Sequence, residues 1–124
     1  VEIWNENGMR SVIRARMAVS PRQRAAGFQH VCEAEIVRFP LLFVFDRDVR
    51  TRFHMQNVQV PLHISFFSRS GRFISNQRMP RPLLVQPVKL YGIESSYRYA
   101  LEFSSDELQQ LFGGPGKFRI ILRR

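Results

Sequence analysis

Apolar and polar residues alternate along much of the chain. In Met9–Val19, Ile13, Ala15, Met17 and Val19 fall on one side of an extended chain, with Arg14, Arg16 and Ala18 on the other. That period of two predicts a half-buried strand. Val1–Asn5 precedes it, and Asn7-Gly8 between them supplies the positive φ values of a tight hairpin turn. Leu41-Leu42-Phe43-Val44-Phe45, closed by Asp46, is too short for a core helix and rich in strand formers, so it predicts a strand covered on both faces. Pro61–Ser68, the turn Ser68-Arg69-Ser70-Gly71, and Arg72–Met79 predict a second hairpin. In Tyr97–Phe103, Glu102 shares a face with Ala100, opposite Tyr99, Leu101 and Phe103, and Lys117–Arg124 ends the chain as a strand.

Helix signals are few. Ser20 is placed as an N-cap, with Pro21 at the first helical position, Gln23 reaching back and Gly27 as a stop. Ser104 with Glu107 repeats the capping pattern, Asp106 suits a helix start, and Gly113-Gly114 end that helix near Phe112. Pro80-Arg81-Pro82 and Pro87 predict an irregular loop, because each proline removes a donor and disfavours helix in the residue before it. Seven to nine short strands, two short helices and no βαβ alternation predict a mainly β fold. The expected form is one antiparallel barrel or jelly-roll-like sandwich over residues 1–124.

A chain of 124 residues with 44% hydrophobic content suits one folded domain. No stretch approaches the ~18 apolar residues of a spanning helix. Charge adds more: 17 Arg and 2 Lys outweigh 3 Asp and 7 Glu, for a net charge of +9. Between Asp48 and Glu94 no acid interrupts Arg50, Arg52, Arg69, Arg72, Arg78, Arg81 and Lys89. Such a segment generates a positive surface that attracts an anionic polymer or an acidic protein, unless the residues stand singly on solvated strand faces. Phe53, Phe66, Phe67 and Phe73 interleave the same stretch as base-stacking platforms would. Phe66, however, alternates with Leu62 and Ile64 as a core residue does, which disfavours nucleic acid as the partner.

Candidate chemistry is sparse. No nucleophile elbow or phosphate-binding loop occurs, and Gly113-Gly114-Pro115-Gly116 follows a helix instead of opening one. The lone Cys32 rules out an intrachain disulfide and reads as a packed thiol. His30, Cys32, His54 and His63 have no metal-ligand spacing, so no metal or other cofactor is expected. Glu102, mid-strand, reads either as a residue of a solvated face or as a polar anchor at the barrel mouth. The chain starts at Val1; if a leader was removed before it, export to the periplasm or envelope follows, and otherwise the cytoplasm.

One set of segments resembles a known family. Arg24-x-x-Gly27-Phe28-Gln29, Pro40–Phe45, Phe53–Phe67, Gly71-x-x-Ile74 and Tyr99-Ala100-Leu101-Glu102 occur in the order of the bacterial and archaeal domain of unknown function 192. That family shows R-x-x-G-L-M, G-M-L-F-V-F, F-W-M-K-N-T-x-x-P-L-D, D-G-x-I and Y-V-L-E. The resemblance covers about residues 12–122 and implies a jelly-roll-like β-barrel, often exported, with no established reaction. Met55, Asn57, Pro61, Leu62 and Glu102 match, whereas His54, Gln56, Val58 and His63 stand where the family has Trp, Lys, Thr and Asp. Replacing that Asp by His63 exchanges an anion for a group mostly neutral at pH 7.

The leading expectation is therefore a non-enzymatic binding or accessory domain. Its basic face, built from Arg50, Arg52, Arg69, Arg72, Arg78 and Arg81, would meet a glycan, envelope polymer or protein, with His54, Asn57, His63 and Glu102 as further binding residues. No catalytic residue is assigned. The alternatives are a hydrolase or ligand-processing enzyme, which requires His54, His63 and Glu102 to converge in one cleft, and a non-specific nucleic-acid binder.

Overall fold

The apolar run that opens β4 (Leu41–Val49) lies at the centre of the architecture. In the computed structural model, which describes residues 2–5, 8, 10–82, 87–113 and 118–122, Leu41, Phe43 and Phe45 enter one hydrophobic cluster while Leu42 and Val44 enter another. Continuous apolarity is needed because both faces of this strand are covered. The other strands among the described residues are β1 (Glu2–Asn5), β2 (Arg10–Val12), β3 (Arg16–Ala18), β5 (Leu62–Phe67), β6 (Phe73–Met79), β7 (Tyr97–Phe103) and β8 (Phe118–Ile121).

They form a five-stranded sheet in the order β3-β4-β7-β5-β6 and a three-stranded sheet in the order β2-β1-β8. All neighbours are antiparallel except β3 and β4. The second cluster, with Ile3, Leu101, Phe103, Phe112 and Phe118, fills the space between the sheets. The two sheets join on one side, where the Ile120 amide donates to the Gly71 carbonyl (2.8 Å) and Arg72 bridges Arg119. The fold is thus mainly β and sandwich-like, and among the described residues no closed barrel forms.

Among the described residues three helices are seen where two were expected. α1 (Pro21–Ala26) carries the full capping box between Ser20 and Gln23 and stops at Gly27, φ 51°. α2 (Glu33–Arg38) escapes sequence reading because Ile36 is its one buried residue, too little to set a helical period; its end charges follow the dipole. α3 (Asp106–Gly113) starts one residue later than expected, since Ser105, not Ser104, accepts from the Leu108 amide (3.3 Å).

The expected single strand over Met9–Val19 is divided. The chain leaves one sheet after Val12 and enters the other at Arg16, and the parallel register of Ala18 with Phe43 turns Ala18 into the core while Val19 is exposed. Cys32 is an exposed helix-cap residue, not a packed thiol. Gly8 has φ 79° as a tight turn needs, whereas its partner Asn7 lies outside the described residues. So do Gly114, Pro115, Gly116 and Lys117 of the second helix stop and last strand, and Val1, Arg123 and Arg124 at the ends.

Candidate functional site

Between β4 and β5 the chain pairs with the segment before β7. Phe53 and Tyr91 exchange both backbone hydrogen bonds at 2.8 Å, an isolated antiparallel bridge. The narrow ribbon around this single bridge turns Phe53, Met55 and Tyr91 into the first cluster. Arg52 and Leu90 are exposed and His54 is half-buried, as strand alternation requires. A Cβ on Gly92 would stand 3.1 Å from the Arg52 Cγ, so Arg52 packs directly across the ribbon. Gln77 of β6 donates to the Gly92 carbonyl at 2.7 Å and fastens the ribbon to the sheet.

After the ribbon the backbone reverses. Asn57 takes φ 61°, a left-handed conformation that asparagine tolerates better than most side chains. Its carbonyl accepts from the His30 amide (2.9 Å) and its Nδ2 donates to the Gln29 Oε1 (3.4 Å). The His54 Nδ1 accepts from the Gln56 amide at 3.2 Å.

Two clefts flank this ribbon. The first, about 430 Å³, is lined by Met55, Gln56, Asn57, Arg81, Lys89 and Tyr91 with Val88 and prolines at its rim. The Lys89 ammonium lies 5.1 Å from the Tyr91 ring centre, within cation–π range. The second, about 380 Å³, lies between α1 and the far end of β4, with Arg24, Asp46, Arg47, Arg52 and His54 over a floor of Phe43 and Phe53. Arg24 is committed to structure there: it donates to the Val19 and Val44 carbonyls and covers the Phe45 ring.

The structure therefore gathers Asn57 with Arg81 in one cleft and Arg52 with His54 in the other. It does not gather His54, His63 and Glu102. Adjacent strands pair His63 with Phe103 and Ile64 with Glu102, so the two side chains project from opposite faces of the five-stranded sheet. His63 stacks on Phe103, ring centres 5.5 Å apart, with its Nδ1 buried and without a hydrogen-bond partner among the described residues; burial first, then the Arg78 guanidinium, lowers its pKa, while Asp106 acts the other way. Glu102, 4% exposed, occupies no solvated face: it lies under Gly27, whose Cβ position is 3.9 Å from the Glu102 Oε1, and burial pushes its carboxyl up to about 8.

The arginines are divided as well. Arg69 and Arg72 flank the β5–β6 turn; Arg78 and Arg81 lie at the other end of β6, whose seven residues span roughly 20 Å. Arg50 is exposed beyond the end of β4. Phe53, Phe66 and Phe67 are core residues, and Phe73 packs against Phe67, Phe112 and Phe118. Arg47 was missed from sequence because Asp46 and Asp48 flank it and hide it from a search for acid-free stretches. Among the described residues no three His, Cys, Asp or Glu side chains cluster as a metal site would. None of the described helices is long and apolar enough to cross a membrane.

A family model, DUF192, described as Uncharacterized ACR, matches residues 2–117. Two crystal structures are similar in fold. A Sinorhizobium meliloti protein described as a "putative transcription regulator" superposes with TM-score 0.77 and 19% identity, covering 95% of this chain and 89% of that one. A Novosphingobium aromaticivorans protein of unknown function gives TM-score 0.76 and 19% identity, with 96% and 82% covered. A search of curated proteins gives no match.

Proposed function

The chain belongs to the DUF192 family, uncharacterised in activity, and from that premise we propose that it is a non-enzymatic binding or accessory domain that receives an anionic partner. The observation that supports this reading is the first cleft, whose charged lining residues, Arg81 and Lys89, are both cationic. A concave wall focuses their field more than a flat surface would, and Gln56 and Asn57 beside them offer neutral hydrogen-bonding groups. The opposed faces of His63 and Glu102 count against the hydrolase alternative, which needed both in one cleft.

The test is binding to heparin, duplex DNA and an acidic protein side by side across a salt series. Affinity for the true class falls linearly in log K against log salt, and reversing Arg81 and Lys89 to Glu lowers that slope by roughly one for each charge removed. Retention that is weak for all three, or insensitive to salt, would overturn the reading.

A further inference from the structure

The two clefts are adjacent along the chain at the ribbon. Phe53 and His54 line the second, Met55 and Tyr91 the first, and backbone hydrogen bonds bridge Phe53 to Tyr91. Each cleft carries cationic lining residues: Arg81 and Lys89 in the first, Arg47 and Arg52 in the second. Asp46 is the acid of the second cleft, and residues 49–93 contain none.

We propose that the ligand is a linear anionic glycan lying across the ribbon, with acid groups in both clefts at once. The proposal rests on the function inferred above and names its ligand class. A glycan fits better than a single-stranded nucleic acid because the aromatic rings are turned inward. Phe53 and Tyr91 are each only 8% exposed, and Lys89 covers the Tyr91 ring, so bases have no platform on which to stack. Among the described residues beside Lys89, the exposed large apolar groups are aliphatic, Val88 (49%) and Leu90 (53%). A polyanionic sugar chain needs no stacking platform, because its acid groups can be met by Arg47, Arg52, Arg81 and Lys89 alone.

Two clefts joined by one ligand bind it as a bivalent site, in which the second contact forms at high effective concentration. Affinity should therefore depend on length. The experiment is isothermal titration of heparin oligosaccharides from about two to about twelve sugar units, where the gain on spanning both clefts is on the order of 100-fold. Arg47→Glu with Arg52→Glu should abolish the gain and leave the shortest chains bound in the first cleft; Arg81→Glu with Lys89→Glu should abolish it from the other side. All four side chains are exposed, so the variants should melt with the parent protein. Equal affinity for short and long chains would overturn the two-cleft track while leaving an anionic partner in place. No glycan binding at low salt would overturn both. Tighter binding of single-stranded DNA than of heparin of equal charge would overturn the choice of glycan.

Discussion

Glu102 and His63 set opposite pH dependences from neighbouring strands. The carboxyl of Glu102 is raised from 4.5 to about 8 by burial, so between those values the folded chain holds a proton that the unfolded chain releases. Stability then falls as pH rises through this range and levels off above about 8. His63, lowered from 6.5, stays neutral in the fold where the unfolded imidazole is charged, so its contribution is lost as pH falls below 6.5. As pH rises above 6.5 the His63 contribution fades while the Glu102 slope continues towards 8, and Glu102→Gln should flatten it in urea unfolding midpoints measured at several pH values. His63→Phe should instead flatten the acid side while keeping the stack on Phe103. Asn57 gives a backbone test: Asn57→Gly should leave stability nearly unchanged, whereas Asn57→Ala should cost about 1 kcal/mol at φ 61° in chemical denaturation.

Among the elements, α1 depends on its ends more than on its faces, because none of its residues is buried. The reciprocal bonds of Ser20 and Gln23 stand in for packing: Ser20 Oγ accepts from the Gln23 amide (3.1 Å) and Gln23 Oε1 from the Ser20 amide (3.1 Å). Ser20→Ala should therefore cost about 1 kcal/mol in thermal or urea unfolding. This helix was legible from sequence because caps are local chemistry. The residues of α2 were equally local, but its single core contact, Ile36, gives no period to read. β3 shows the converse: its alternation was visible, but the pairing partner, a parallel β4, decided that Ala18 and not Val19 would be buried.

At the scale of the molecule, the junction between the sheets brings two backbones close together, and Gly71 permits it. Its φ is 86°, and a Cβ there would meet the Ile120 carbonyl oxygen at 2.3 Å, backbone that has no flexible end to move aside. Gly71→Ala should destabilise the protein by about 2 kcal/mol or more, read as a shifted denaturation midpoint, and by parting β8 from the β5–β6 turn it should loosen the second cluster. Glycine at this turn was predicted from its sequence neighbours; the carbonyl that requires it lies 49 positions away, between residues 71 and 120.

The sequence by itself determined the β-rich class, the two capped helices, the double-sided burial of the Leu41–Phe45 run and the family resemblance. Each of these rests on order, spacing or contacts within a few residues. Tertiary structure alone decided the geometry of the candidate site. Strand pairing placed His63 and Glu102 on opposite faces though both belong to the matched segments. The bridge between Phe53 and Tyr91 joins stretches 38 residues apart beside the first cleft, and packing of α1 against β4 put Arg47 into the second despite its acidic neighbours. The physical reason is that alternation specifies that a strand has two faces, but which partner covers each face depends on register between segments far apart in the chain.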